Sequence, residues 1–314
     1  MKLATLANES PDGQLVIVAP DGSAYAEAPV PSLQAAMERW EERVGELAAV
    51  ASFPLALDPR QLLAPLPRAW QWLDGSAFAS HGELMQIAFA MDPVPTDRPL
   101  MYQGMSDTFY AWNHDVPFPS EADGIDFEGE FGVIVDAVPM GVTPDRAMRH
   151  IRLIVQINDW SLRAIAPVEM KTGFGWVQAK PPCSVAPFAV TPDELGEAWR
   201  DGRVCLPLSV EWNGKPFGAA RGDAMAFGFH ELIAHAARTR SLVAGTIVGS
   251  GTVSNPDYRV VGSSCIAERR AIELVDLGAP KTPFMAFGDR VRMEARSANG
   301  AILFGAIDQQ VIAA

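Results

Sequence analysis

The alternation of apolar and polar residues predicts a small mixed N-terminal part followed by a larger, strand-rich part. Near the N-terminus the apolar runs LATLA and LVIVA are separated by a PDG sequence, which predicts a β-hairpin. From Ser32 onward, apolar residues recur every three or four positions with charges between them, which is typical of an amphipathic helix. A second helix is predicted at about 80–90, where Ser80 and Glu83 have the spacing of a capping box.

A proline-rich stretch follows that second helix. The segment MDPVPTDRPL at 91–100 cannot continue a helix, because proline lacks the backbone N–H and its ring clashes with the preceding turn. We therefore predict a linker here, with a small N-terminal domain at residues 1–97 and a second domain at 98–314.

The second domain is dominated by short apolar runs bounded by Gly, Pro, Asn or Asp, which predict β-strands. Asn213 and Gly214, between two such runs, predict a tight hairpin turn. Thr143 and Thr191 each precede a proline and predict the starts of short helices. A further helix is predicted at 230–240. The fold class is therefore mixed α/β and strand-dominated, with strands at 131–136, 153–158, 206–212, 245–253, 290–296 and 301–307.

Composition limits the class of protein. With 314 residues, 48% of them hydrophobic and 20% charged, the chain can bury a full core, and we expect a soluble globular protein. The net charge of −13 opposes binding to nucleic acid and to anionic membranes. The N-terminal sequence lacks the apolar core of a signal peptide, and no apolar run approaches the roughly 20 residues that span a bilayer. We therefore expect a cytoplasmic protein with no nucleic-acid or membrane partner.

The cysteines and the acidic residues suggest different chemistry. Three cysteines without a CxxC motif support neither a disulfide framework nor a zinc cluster. Glu128 and Glu130 stand at the start of a predicted strand, so their side chains emerge on one face, about 6.6–6.8 Å apart along the chain. Such a pair is solvated, shares a proton or holds a cation. Asp107 lies in a predicted turn and Asp159 ends an apolar strand. Oxygen ligands favour Mg²⁺, with Mn²⁺ or Ca²⁺ as alternatives, while a solvated acidic face is the other interpretation.

The order of motifs resembles that of the fumarylacetoacetate hydrolase family. SDxFY, a histidine seven residues after the aspartate, ExE, NDWSxR, a lysine some twenty residues on and GSGTVSNP follow one another from about residue 100 to the C-terminus. The chain is most similar to bacterial two-domain members, which have a small N-terminal domain, a β-roll catalytic domain and a homodimeric assembly.

The resemblance implies a role for each matching residue. It implies metal ligands at Asp107, Glu128, Glu130 and Asp159. It also implies a catalytic His114 oriented by Glu268, charge stabilisation by Lys180 and Arg163, and substrate contact by Thr252. For the other histidines, which have no acid at ligand or triad spacing, we expect helix-surface positions: His81, His150, His230 and His235.

The activity that the resemblance implies is hydrolysis of a carbon–carbon bond in a β-diketone or acylpyruvate such as fumarylacetoacetate, in aromatic catabolism, with Mg²⁺ and no organic cofactor. Decarboxylation, hydration or isomerisation of a 2-oxo acid would use the same enolate, and a catalytically silent binding homologue is a further alternative. Two departures concern the substrate. Ala166 stands where the family has glutamine, and only thirteen positions, 115–127, separate His114 from Glu128, so the insertion with which animal members grip the substrate is absent.

Overall fold

A computed structural model describes residues 1–88 and 97–314 of the chain. The end of the predicted second helix and most of the predicted linker at 91–100 lie outside the described residues. Within these two ranges, no helix is both long and apolar enough to cross a membrane.

The N-terminal residues form strands and two short consecutive helices where one helix was predicted. The strands are β1 Lys2–Leu6, β2 Gln14–Val18, β3 Ala24–Glu27 and β4 Leu55–Ala56, and the helices are α1 Leu33–Glu38 and α2 Trp40–Ala48. Ser32 caps α1 by accepting from the Ala35 N–H. β1 pairs with β2 as the predicted hairpin.

The following residues contribute strands to the middle of the fold. These are β5 Trp72–Gly75, β6 Met101–Gly104, β7 Val116–Phe118, β8 Ile125–Asp126, β9 Gly129–Val135, β10 Ile151–Asn158, β11 Ser161–Leu162, β12 Ser184–Val185 and β13 Ala189–Val190. The helices among them are α3 Ala79–Ala88, α4 Pro144–Ala147 and α5 Ala166–Thr172. Ser80 lies inside α3 rather than at a capping position, and its hydroxyl contacts the Ser254 hydroxyl at 2.8 Å.

The C-terminal third completes both sheets. Its strands are β14 Trp199–Arg200, β15 Arg203–Val204, β16 Pro207–Trp212, β17 Lys215–Arg221, β18 Thr246–Gly249, β19 Arg290–Arg296 and β20 Ile302–Ala313. Its α-helices are α6 Phe229–Ala236, α7 Tyr258–Val261 and α8 Ile266–Leu277. Asn213 and Gly214 join β16 to β17 as a hairpin, as predicted.

A large mixed sheet carries the strands that matter for the site. Its order is β4-β3-β2-β1-β13-β10-β9-β18-β5-β6, with β12 also paired to β10. The N-terminal strands join it through β1 and β13, where Lys2 lies opposite Val190. A second sheet, of order β17-β16-β19-β20-β7, covers one face of the first. One hydrophobic core contains Phe131 and Ile154 of the first sheet together with Met293 and Phe304 of the second.

Candidate active site and metal centre

Three carboxylates meet at one edge of the large sheet. Asp74 lies near the end of β5, Glu130 near the start of β9, and Asp159 directly after β10. One oxygen from each lies within 4.8 Å of the others. Glu128 is placed beside them, because the Asp159 N–H donates to the Glu128 carbonyl at 3.0 Å. The antiparallel pairing of β9 with β10 brings a strand start and a strand end to the same edge.

Two glycines let Asp74 reach this cluster. β18 separates β5 from β9, and its Gly249 lies opposite both Asp74 and Gly132. A methyl group on Gly249 would come within 2.3 Å of the Asp74 Oδ1 atom, so only a residue without a side chain leaves room for that carboxylate. The Gly251 N–H then donates to Asp74 Oδ1 at 3.0 Å and fixes its orientation.

The carboxylates of the cluster differ in how they are paired. Asp159 accepts from the Tyr102 hydroxyl at 2.6 Å, from the Cys183 thiol at 2.9 Å and from Lys180 Nζ at 2.7 Å. Lys180 Nζ also donates to Glu128. Both oxygens of Glu130, by contrast, are buried and have no hydrogen-bond partner among the described residues.

At this edge of the sheet, burial and neighbouring carboxylates disfavour the charged forms of Asp74 and Glu130. Burial raises the pKa of Asp74 well above its ordinary value, and the neighbouring Asp159 raises it further. Burial, followed by Asp74 and Asp159, raises the pKa of Glu130 in the same way. For Glu128, burial acts in the same direction but is outweighed by Arg163 and Lys180, which hold its pKa far below the ordinary value.

The residues present fit a divalent cation. Burying a carboxylate with no partner is costly, and Glu130, which is fully buried beside Asp74 and Asp159, faces that cost. A cation between them would supply the partner that both Glu130 oxygens lack. An all-oxygen ligand set of this kind suits a hard ion such as Mg²⁺ or Mn²⁺.

A histidine–glutamate pair lies next to the cluster. His81 is in the first turn of α3, and its Nδ1 atom is 2.8 Å from Glu268 Oε2 in the first turn of α8. Glu268 is fully buried, whereas His81 is 12% exposed. Packing of α3 on α8, through Leu84 against Ala271, holds the two helices together. His81 also lies within 4.8 Å of a Glu128 oxygen, so the pair adjoins the acidic cluster.

The structure does not bring Asp107, predicted as a metal ligand, or His114, predicted as the catalytic histidine, to the acidic cluster. Both are exposed, and neither lines the cavity that contains the cluster. β6 runs antiparallel to β5 and Gly104 pairs with Trp72, so the chain after Gly104 leaves the sheet beside the start of β5, whereas Asp74 lies near the end of β5. The ring of His114 instead stacks on Tyr110, with 4.6 Å between centroids.

The residues that the structure brings to the site were visible in the sequence. His81 follows Asp74 by seven residues, the same interval that separates His114 from Asp107. Asp74 also ends a short apolar run, WQWLD, much as Asp159 ends LIVQIND. The expectation that His81 has a helix-surface role without an acid partner is wrong, because Glu268 reaches it from 187 positions away.

Arg163 and Asp126 connect the site to the start of α8. Arg163 Nε donates to Asp126 Oδ2 at 2.8 Å, and its Nη2 atom donates to Glu128 Oε1 at 2.5 Å. Asp126 in turn accepts from the N–H groups of Ile266 and Ala267, at 2.7 and 2.9 Å. Arg163 therefore positions Glu128, and Asp126, which the sequence did not single out, holds Arg163 and the start of α8 together.

The cluster and the pair open into a single cavity of about 440 Å³, a size that suits a small molecule. Thr252 and Lys180 line it, as do Arg163 and Ala166. The structure thus brings seven of the nine sequence-predicted residues to the walls of this cavity or into contact with a residue that lines it: Glu128, Glu130, Asp159, Lys180, Arg163, Thr252 and Glu268.

The sequence matches the models of a known family over most of the chain. The family model described as fumarylacetoacetate (FAA) hydrolase C-terminal matches residues 71–312, and that described as fumarylacetoacetase N-terminal domain 2 matches residues 1–68. The chain belongs to the fumarylacetoacetate hydrolase family. Asp74 and His81 fall inside the first match, although the sequence-based boundary at residue 97 would assign them to the N-terminal domain.

Individual relatives are distant. A 2,4-didehydro-3-deoxy-L-rhamnonate hydrolase of Sphingomonas sp. strain SKA58 is 28% identical over 163 residues, which cover 51% of this chain and 54% of the relative. The chain thus spans about half the length of this curated relative.

Solved structures share the fold along the whole chain. A fumarylacetoacetate hydrolase from Exiguobacterium antarcticum has a TM-score of 0.68 at 18% identity, covering 100% of both chains. A 5-carboxymethyl-2-hydroxymuconate delta-isomerase from Mycobacterium smegmatis has a TM-score of 0.64 at 18% identity, covering 100% of this chain and 99% of the other. Proteins named as hydrolases and proteins named as isomerases therefore share this fold.

Proposed function

We propose that the protein is a divalent-metal-dependent hydrolase that cleaves a carbon–carbon bond in an acylpyruvate or a related β-diketone acid. The observation that carries this proposal is the His81–Glu268 pair, which lies beside the acidic cluster in the same cavity. A hydrolysis needs a base for water in addition to a site for the oxo acid, whereas isomerisation or decarboxylation through an enolate does not need an activated water.

The residues that would hold the metal are Asp74, Glu130 and Asp159, with Glu128 adjacent. When bound, a divalent ion there would act as a Lewis acid toward the oxygens of a 2-oxo acid. Tyr102 and Cys183 orient Asp159 through their hydrogen bonds. Hydrogen bonds to a metal-binding carboxylate fix the direction of its oxygen atoms.

His81 would take a proton from water at its Nε2 atom, because Glu268 occupies the Nδ1 side. The buried Glu268 carboxylate holds the imidazole in one tautomer and stabilises the positive charge that it acquires. The water oxygen attacks the acyl carbonyl carbon, and the bond from that carbon to the neighbouring methylene breaks. The methylene carbon then receives a proton, so that one carboxylate and one pyruvate leave the site.

Lys180 is placed to stabilise negative charge that develops during the cleavage. It is 7% exposed and lies between Glu128 and Asp159, and although burial lowers the pKa of its amine, these carboxylates raise it more strongly. The amine therefore stays charged. Removing one such donor commonly costs about 3–4 kcal/mol of transition-state stabilisation. Arg163 ties Glu128 to Asp126 and, through Asp126, to the start of α8, so we assign it a positioning role.

A substrate panel tests the proposal. Purified protein is incubated with fumarylacetoacetate, simple acylpyruvates and oxaloacetate, with Mg²⁺ or with EDTA, and the products are resolved by chromatography. The proposal expects pyruvate and a carboxylic acid from an acylpyruvate, and loss of that activity in EDTA. Metal-dependent decarboxylation of oxaloacetate with no cleavage of any acylpyruvate would contradict it.

A further inference from the structure

The lining of the cavity contains two chemically different groups of side chains. One group is the acidic cluster with the His81–Glu268 pair described above. The other group, called the apolar wall below, consists of side chains that carry no charge, and it adjoins the acidic cluster at Trp176, whose ring centroid is 5.7 Å from Lys180 Nζ. Its members come from α3, from β6 and the residue before it, and from α5 and the loop that follows it: Met85, Gln86, Leu100, Met101, Met170 and Trp176.

The arginine and lysine side chains that line the cavity among the described residues are already engaged. Arg163 and Lys180 form ion pairs with carboxylates. Glu169 precedes Met170 on α5, and its carboxylate accepts from the backbone N–H groups of residues 177–179. Lys171, on α5, is exposed and does not line the cavity. Lys180 Nζ is 5.7 Å from the Trp176 ring centroid, but its ion pairs hold it at Glu128 and Asp159. Within the described part of the chain, the apolar wall therefore offers a ligand no lysine or arginine that lacks a carboxylate partner.

The segment between α3 and β6 does not change this conclusion. By sequence, residues 89–96 are FAMDPVPT, which contain one aspartate and no lysine or arginine. Arg98 follows, but it is 60% exposed on its side chain and is bonded to Asp97. By sequence, these eight residues therefore contribute no lysine or arginine.

We infer that the substrate carries an uncharged, apolar tail, alkyl or aryl, and that a tail ending in a second carboxylate is disfavoured. This inference rests on the proposed function, because it takes the oxo-acid end to lie at the acidic cluster. A carboxylate moved from water against the apolar wall would lose hydration without gaining a partner. The three methionines of that wall are flexible and polarisable, so they adapt to apolar groups of different shape.

A matched pair of ligands measures the preference without turnover. The compounds 2-oxoheptanoate and 2-oxoheptanedioate differ only in whether the tail ends in a methyl or a carboxylate, and neither contains the cleavable β-diketone. Their binding is measured by calorimetry with Mg²⁺ at 0.15 M salt, where charges more than about 8 Å apart are screened. We expect the monoacid to bind at least tenfold more tightly.

Two variants at one position separate a local effect from the net charge of −13. Gln86→Arg adds a cation to the apolar wall and should shift the ratio of the two dissociation constants at least tenfold toward the diacid. Gln86→Met is the matched control of similar size without charge, and it should keep the wild-type preference for the monoacid.

The turnover of a second pair distinguishes the two proposals. Butyrylpyruvate and succinylpyruvate differ in the same way at the tail but can be cleaved. If neither is cleaved while the monoacid still binds more tightly, the proposed hydrolysis is wrong and the inference on the tail is supported. Equal binding of the two oxo acids, or tighter binding of the diacid by the wild type, overturns the inference. Failure of both to bind with Mg²⁺ overturns it as well, since the oxo-acid end would then have no site.

Discussion

Gly249 and Asp74 lie opposite each other on neighbouring parallel strands, and the space where Gly249 lacks a side chain is occupied by the Asp74 carboxylate. The 2.3 Å separation between a built methyl and Asp74 Oδ1 shows that the two cannot coexist without movement. The first proposed metal ligand in the chain thus depends on a glycine 175 positions later in the sequence.

Gly249→Ala should therefore weaken metal binding and destabilise the fold. Overpacking of this kind typically costs about 1–3 kcal/mol, and Trp72 would also be within 2.3 Å of the new methyl. Thermal unfolding and Mn²⁺ titration would measure the two effects. Gly45→Ala, on α2 with nothing within 4 Å of the added methyl, is the control and should leave both unchanged or raise stability slightly.

Asp74→Asn should stabilise the protein in EDTA and remove its response to Mg²⁺. Burial and Asp159 raise the pKa of Asp74, so its contribution to stability is present at low pH and is lost as pH rises through that raised value. The advantage of the asparagine variant in EDTA should therefore grow as pH rises from 5 to 8. A Tm shift of about 2–4 °C is expected for each kcal/mol.

The control for that experiment is Asp107→Asn. Asp107 is exposed, so its loss should change neither the Tm in EDTA nor the increase on adding Mg²⁺. The reverse result, with Asp107→Asn abolishing the Mg²⁺ response and Asp74→Asn retaining it, would restore the ligand set first predicted from sequence.

His81→Ala should lower kcat for acylpyruvate cleavage by about 10²- to 10⁴-fold, the range that a general base contributes. Metal binding should persist, because the histidine is not among the three clustered carboxylates. The His114 ring stacks against Tyr110 at the surface, so His114→Ala should retain wild-type kcat. Steady-state kinetics of both variants decide the assignment, and unchanged kcat in His81→Ala would place the base elsewhere.

Asp126→Asn should destabilise the fold more than loss of a surface ion pair. Asp126 is fully buried, pairs with Arg163 and accepts two N–H groups at the start of α8. Breaking such a buried pair commonly costs about 3–5 kcal/mol. Asp276→Asn removes the exposed pair with Arg259, and it should cost at most about 1 kcal/mol. Urea unfolding of the two variants would test this, and equal losses would contradict the role given to Asp126.

The strands were predictable because their apolar runs are short and sharply bounded. The strand predicted at 131–136 overlaps β9 and extends one residue beyond its end, and Asn213–Gly214 forms the expected hairpin. The fold class and the family followed from such patterns together with the motifs. The helix predicted from Ser32 instead breaks at Arg39, whose backbone leaves the helical region, with φ of −133° and ψ of 37°.

The site was only partly predictable, because two aspartate–histidine pairs have the same spacing, and spacing alone does not say which pair lies at the site. Both Asp74 to His81 and Asp107 to His114 span seven residues. The first pair is chosen by tertiary structure: β5 lies inside the sheet beside β18, and α3 packs on α8 next to Glu268. Glu128, Glu130 and Asp159 could be identified since they adjoin two long, strongly apolar strands that pair with each other.

The most direct test of the metal centre is the binding of Mn²⁺ to metal-free protein, followed by electron paramagnetic resonance. Glu130→Gln keeps the shape of the side chain but removes the charge from the two buried oxygens that lack a partner within the described ranges. We predict one tight site in the wild type and in Glu9→Gln, an exposed control, and at least tenfold weaker binding in Glu130→Gln. Equal Mn²⁺ affinity in Glu130→Gln and the wild type would contradict the account.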